Sequence, residues 1–128
     1  MVVLDASAVL AMLFDEPGRV AVEDAIAAGA MISTVNLAEV MARLVRDGVT
    51  AGLAADALNR LPVVVQDLDH DVAIRSGALV TQTRPYGLSL GDRVCLALAA
   101  REKAPALTAD RAWDRVAGEI SVTVRLIR

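Results

Sequence analysis

Along the chain, short runs of β-branched and apolar residues alternate with longer segments in which apolar positions recur every three to four residues. Val2-Val3-Leu4, Met31-Ile32-Ser33, Pro62-Val63-Val64-Val65, Ala106-Leu107-Thr108 and the run from Val122 to Ile127 have the length and side chains of strands. Between the first two, Ser7 opens a helix over residues 8–14. Pro17-Gly18 then breaks the chain, and Val20, Ala21, Ala25 and Ala28 carry a second helix to Gly29. Thr34 reads as the cap of a third helix, with Val35, Leu37, Val40, Met41, Leu44 and Val45 on its apolar side and Asp47-Gly48 as its stop. Thr50 reads as the cap of a fourth, running to Arg60. Residues 81–87 read as a polar loop and residues 89–102 as a long helix; Asp110 opens a last short helix through Trp113 and Val116. Strands separated by helices predict an α/β fold in which a mostly parallel sheet is joined by right-handed crossovers.

Composition narrows the class. A chain of 128 residues is one domain's worth, so a single domain over 1–128 is expected. The hydrophobic share is 55%, with a mean hydropathy of +0.50. Every apolar run is nonetheless broken by charge or glycine well short of the ~20 residues that span a bilayer. A soluble protein without a membrane partner is expected. The opening Met-Val-Val-Leu-Asp has neither the basic region nor the small-residue cleavage site of a secretory leader, which predicts a cytoplasmic address. Cys95 is the only cysteine, so it forms no internal disulfide and reads as a small core residue.

Net charge is −3, but its distribution matters more than its sum. Acids neutralised by bound cations would leave the remainder slightly positive, so a polyanionic partner is compatible with the total. Of the 13 basic residues only Lys103 is a lysine. Arginine suits bidentate phosphate contacts, and a coding bias toward arginine and alanine accounts for the count equally well. Aromatics make up 2% of the chain, too few for a ladder of stacked bases.

Four acids stand out by position. Asp92 enters the first turn of an apolar helix, where Ser89-x-x-Asp92 also fits a capping box. Asp5 ends the first strand, and Ser7 could cap the following helix in its place. Glu39 lies early in the third helix, where the helix dipole and an i,i+4 pair with Arg43 would suit an acid in any case. Asp110 follows the fourth strand and would serve as a plain N-cap; Asp114 lies one turn further along. Asp67-Leu-Asp-His-Asp71 looks like a metal site, but reads better as a helix start, with Asp69 as cap, Asp71 in the first turn and His70 exposed.

The acids matter jointly. In a parallel sheet the carboxyl ends of the strands share one edge, which collects Asp5, Glu39 and Asp110; Asp92 joins them if its helix starts at that edge. Carboxylates crowded together repel unless a cation sits among them. An all-oxygen set without histidine or cysteine selects a hard ion, Mg²⁺ or Mn²⁺, over zinc. One such ion, or two about 4 Å apart, activates water toward a phosphodiester and offsets the charge that develops.

Val3-Leu4-Asp5-Ala-Ser7, Leu37-Ala38-Glu39-Val40, Leu88-Ser89-Leu90-Gly91-Asp92-Arg93 and Leu107-Thr108-Ala109-Asp110-Arg111-Ala112-Trp113, in this order, resemble the PIN domain family, specifically the VapC-type ribonuclease toxins of bacterial toxin-antitoxin pairs. The resemblance spans nearly the whole chain. It implies an α/β three-layer sandwich with a mostly parallel five-stranded sheet flanked by helices. It also implies Mg²⁺- or Mn²⁺-dependent endoribonuclease activity on RNA, homodimerisation and inhibition by a small VapB-like antitoxin. Asp5, Glu39, Asp92 and Asp110 match the family's acidic quartet, and Ser7 and Thr108 its hydroxyl positions beside the metal. Asp114 matches no invariant position of the family and is kept as an additional candidate ligand. In the expected mechanism Asp5, Asp92 and Asp110 hold metal and Glu39 orients a water or a second ion. Arg43, Arg93 and Arg111 are candidate phosphate contacts, with charge compensation as the competing role.

Two rivals differ in class. A haloacid-dehalogenase-type phosphatase would begin with a similar strand, but needs a second aspartate where Ser7 stands. A non-catalytic PIN-like adaptor would bind RNA or a protein without cleaving it; the complete quartet counts against it.

Overall fold

The computed structural model describes all 128 residues. Strands β1 (Val2–Leu4), β2 (Ala30–Ser33), β3 (Val64–Gln66), β4 (Ala106–Thr108) and β5 (Val124–Leu126) form one sheet in the order β3-β2-β1-β4-β5, every pairing parallel. Helices α1 (Ala6–Leu13) and α2 (Arg19–Ala28) connect β1 to β2, and α3 (Thr34–Arg46) and α4 (Ala51–Asn59) connect β2 to β3. The chain then crosses to the far side of β1 through α5 (His70–Ala78), α6 (Val80–Thr83) and α7 (Leu90–Glu102). Helix α8 (Trp113–Ile120) joins β4 to β5.

The two-residue period of the strands divides the interior. Val2 and Leu4 face a core completed by α1 to α4, with Val9, Val22, Val40 and Ala54. Val3, between them, faces the opposite core, filled by Val72 of α5, Val94 and Leu98 of α7, and Trp113 and Val116 of α8. The sheet is thus covered on both faces, as parallel sheets require, and the α/β three-layer reading holds. No helix is long and apolar enough to cross a membrane.

Several element boundaries differ from the sequence expectation. Helix α1 starts at Ala6 with Asp5 as N-cap residue, so Ser7 lies inside the helix and caps nothing. Ser33, not Thr34, caps α3: its hydroxyl accepts the Val35 N–H at 3.2 Å, while the Thr34 hydroxyl accepts the Leu68 N–H at 3.0 Å. The segment expected to be a polar loop contains α6 and a 3₁₀ turn over Arg84–Tyr86. Its polar residues hide their purpose in sequence: Thr83 is fully buried and donates its hydroxyl to the Leu79 carbonyl at 2.8 Å. Helix α8 begins only at Trp113, so Asp110 does not cap it.

Candidate active site

Winding outward through β2 and β3 and then returning past β1 to β4 reverses the strand order between β1 and β4. In open α/β sheets the carboxyl edge at such a reversal is where ligands bind. Asp5 follows β1 and Asp110 follows β4, so both stand at that part of the edge.

Asp5 is only 4% exposed. Its Oδ2 accepts two hydroxyl hydrogen bonds, from Ser7 Oγ at 2.6 Å and from Thr108 Oγ1 at 2.9 Å. The direction of both is set further out. Ser7 Oγ accepts the Ala109 N–H at 2.9 Å, and Thr108 Oγ1 accepts the Asp110 N–H at 3.0 Å. Each hydroxyl therefore accepts from the backbone of the β4 loop and donates to Asp5, which ties the loop carrying Asp110 to the end of β1. Burial nevertheless pushes the Asp5 carboxyl up to about 6; the Asp92 and Glu39 charges add to the rise, and the Ser7 and Thr108 hydrogen bonds oppose it.

Asp92 satisfies the capping-box reading and more. Its Oδ2 accepts the Ser89 N–H at 2.9 Å, while its own N–H donates to Ser89 Oγ at 3.3 Å. Burial raises its pKa and the Asp110 charge adds to that, against the bonds from Ser89 and the charge of Arg93. Glu39, half-buried on α3, is likewise raised by burial and by Asp92, and lowered by a hydrogen bond from Asn36. Asp110 is exposed, and its Oδ1 accepts the Ala112 N–H at 2.9 Å, closing a turn that leads into α8. Asp5, Glu39 and Asp92, from three distant segments, thus lie within electrostatic reach of one another, and Asp110 within reach of Asp92.

No three Asp, Glu, His or Cys side chains close into a ready-made metal cage. The quartet also lines none of the molecule's surface depressions. It forms an open edge rather than an enclosed pocket.

The other expected residues divide. Ser7 and Thr108 hold Asp5. Asp114 is exposed in the first turn of α8, with no hydrogen bond or ion pair to the quartet. The Glu39–Arg43 pair that the spacing makes available does not form: Arg43 binds Asp47 at 2.9 Å and lies 5.6 Å from the Phe14 ring centre. Arg93 donates to the Ser76 carbonyl at 3.1 Å, fixing α7 to α5. Arg111 is exposed and unpaired. In the other acidic run Asp69 caps α5 by accepting the Val72 N–H at 2.9 Å, and Arg101 binds Asp69 at 2.6 Å. His70 is exposed, as expected. Sequence reasoning passed over Asn36 and Gly91, although Asn36-x-x-Glu39 is a helical spacing and Gly91 directly precedes Asp92.

A doubly covered parallel sheet with carboxylates gathered at its strand-order reversal defines an α/β protein with an acidic edge site. The chain belongs to the PIN domain family, which it matches over residues 2–119. No curated protein matches the chain at a significant level. Among solved structures it is similar to a toxin-antitoxin complex from Klebsiella pneumoniae, at 23% identity and a TM-score of 0.71, over 100% of this chain and 98% of that one. It is similar to FitAcB from Neisseria gonorrhoeae, at 19% identity and a TM-score of 0.76, over 99% and 98%. It also resembles the Mycobacterium tuberculosis toxin VapC20, which cleaves the sarcin-ricin loop, at 18% identity and a TM-score of 0.72, over 90% and 94%.

Proposed function

We propose that this chain, acting as one PIN unit, is a divalent-metal-dependent endoribonuclease and the toxin of a type II toxin-antitoxin pair. The observation that carries the reading is the gathering of carboxylates at a single sheet edge, where Asp92 and Glu39 disfavour the Asp5 charge, Asp92 that of Glu39, and Asp110 that of Asp92. A cation bound among them would relieve that repulsion. The donor set fits Mg²⁺ or Mn²⁺: it is all carboxylate, and Asp5 receives both hydroxyl bonds on Oδ2, leaving Oδ1 free of protein donors. Asp5, Asp92 and Asp110 would hold the ion, with Glu39 beside them. When bound, that ion would activate water and offset charge developing on a phosphodiester.

The chain's own groups do the rest. Ser7 and Thr108 orient Asp5 through hydroxyls that backbone N–H groups of the β4 loop already direct. The Ser89 cap fixes the turn that carries Asp92, and Glu39 orients water at the edge. Arg111, with no ion pair, is the arginine best free to meet a substrate phosphate; Arg43 and Arg93 are engaged elsewhere. An open edge admits a polymer, which suits RNA. Structural relatives solved as toxin-antitoxin complexes support a VapB-like antitoxin as partner, and a homodimer in the cytoplasm completes the reading.

Purified chain with Mg²⁺ or Mn²⁺ is expected to cut RNA internally. EDTA abolishes the cutting, as do Asp5→Ala and Asp92→Asn, each with an unchanged circular dichroism spectrum. Wild-type cleavage by both variants sinks the site; RNA binding without cleavage by wild type favours a non-catalytic adaptor.

A further inference from the structure

Asn36 is fully enclosed, on the side of α3 that also buries Val40 and Leu44. Its side-chain NH₂ makes two hydrogen bonds, to Glu39 Oε2 at 3.1 Å and to the Gly91 carbonyl in the first turn of α7 at 3.0 Å. Both partners are acceptors, so the amide has one workable orientation; turned over, its oxygen would face two oxygens. That orientation leaves Asn36 Oδ1 buried with no donor. A leucine of similar size would fill the space without stranding an acceptor, so packing alone does not account for asparagine here.

Gly91 meets the same carboxylate from the other helix. A Cβ at position 91 would fall on the carboxylate of Glu39, so only glycine lets that group lie against the α7 backbone beside Asp92. The helix does not need a glycine there for conformation, since its φ is not positive. A buried amide on one helix and a missing side chain on the other therefore converge on one group.

We propose that Asn36 and Gly91 form a clamp that seats the Glu39 carboxylate next to Asp92, with Asn36 as the positioning residue and a divalent cation as the group the seated pair serves. The amide donates to Glu39 and bridges it to α7, so the two acids stay adjacent despite their like charge. Without the clamp Glu39 would swing to solvent, as an exposed helical glutamate does. The service to a cation rests on the nuclease reading; the seating of Glu39 does not.

The test uses the full chain and Mn²⁺ alone as probe, in wild type, Gly91→Ala, Asn36→Leu, Glu39→Gln and the double variant Asn36→Leu/Glu39→Gln. Crystal structures of the metal-free proteins report where the Glu39 carboxylate sits, and calorimetry reports Mn²⁺ affinity. Gly91→Ala should melt at or above the wild-type temperature, because alanine favours the helix and only the flexible end of Glu39 must move. Its Glu39 should be displaced and its Mn²⁺ affinity should fall about tenfold, as expected for a group that orients a ligand. Asn36→Leu should behave alike, and the double variant should be no weaker than Glu39→Gln. Glu39 still seated in both Gly91→Ala and Asn36→Leu, or losses that multiply in the double variant, overturns the proposal. Displaced Glu39 together with wild-type Mn²⁺ affinity in Glu39→Gln upholds the seating, overturns the cation as what it serves, and removes Glu39 from the nuclease assignment.

Discussion

Asp5 illustrates how one residue can be costly to the fold and suited to a site. Its carboxyl rises from an ordinary 3.8 to about 6 because burial disfavours the charge and Asp92 repels it. A raised folded-state pKa means that the native protein holds the proton more tightly than the unfolded chain does. The stability linked to that proton is fully present below 3.8 and is lost as pH climbs through about 6. The rise corresponds to about 3 kcal/mol. In metal-free protein, Asp5→Asn should therefore match wild type near pH 4 and exceed it by up to that amount at pH 7.5, measured by urea denaturation across the range. An Asp5→Asn protein less stable than wild type at pH 7.5 would show that the carboxylate is not under the stress described. Residues were also where sequence reading was least complete. The two roles weighed for Asp92, cap and cluster member, prove compatible, since its Oδ2 takes the Ser89 N–H while the residue still lies in the field of Asp110.

At the scale of elements, helix interiors were legible and their ends less so. The apolar spacing of Val40 and Leu44 on α3, and of Val94 and Leu98 on α7, is a local pattern that survives folding unchanged. Caps depend on which of two adjacent hydroxyls the tertiary structure recruits, as Ser33 and Thr34 show. The 3₁₀ turn and α6 were illegible because the burial of Thr83 comes from outside the segment. Gly18 marks another junction set by distant contacts. It has φ +98°, and a Cβ there would lie 2.7 Å from both the Cγ1 and the carbonyl oxygen of Ile127 at the end of the chain. Gly18→Ala should thus cost more than the roughly 1 kcal/mol typical of a strained turn position. A thermal melt lowered by several degrees is the expected result; an unchanged melting temperature would mean that the last residues do not pack against α2.

The whole molecule is two cores on either side of one sheet, and the site lies where both meet its carboxyl edge. Trp113, the only tryptophan, is completely buried in the core formed with α5, α7 and α8. Val2 and Leu4 on one face and Val3 on the other make β1 common to both cores. The cores should consequently unfold together. Tryptophan fluorescence, which reports one core, and far-ultraviolet circular dichroism, which reports all helices, should give coincident urea transitions. Separate midpoints would show that the sheet does not couple the two halves.

By itself the sequence determined the alternation of strand and helix and the parallel α/β class, because these rest on periodicity, and it marked the acids and hydroxyls at strand ends as candidates. Only the tertiary structure decided that Asp92 comes near Asp5 and Glu39, and that Gly91 meets Asn36 and Glu39. Those depend on the reversal of strand order and on the packing of α3 against α7, a contact between residues 55 apart in the Asn36–Gly91 bond, for which no local pattern of side chains carries a signal.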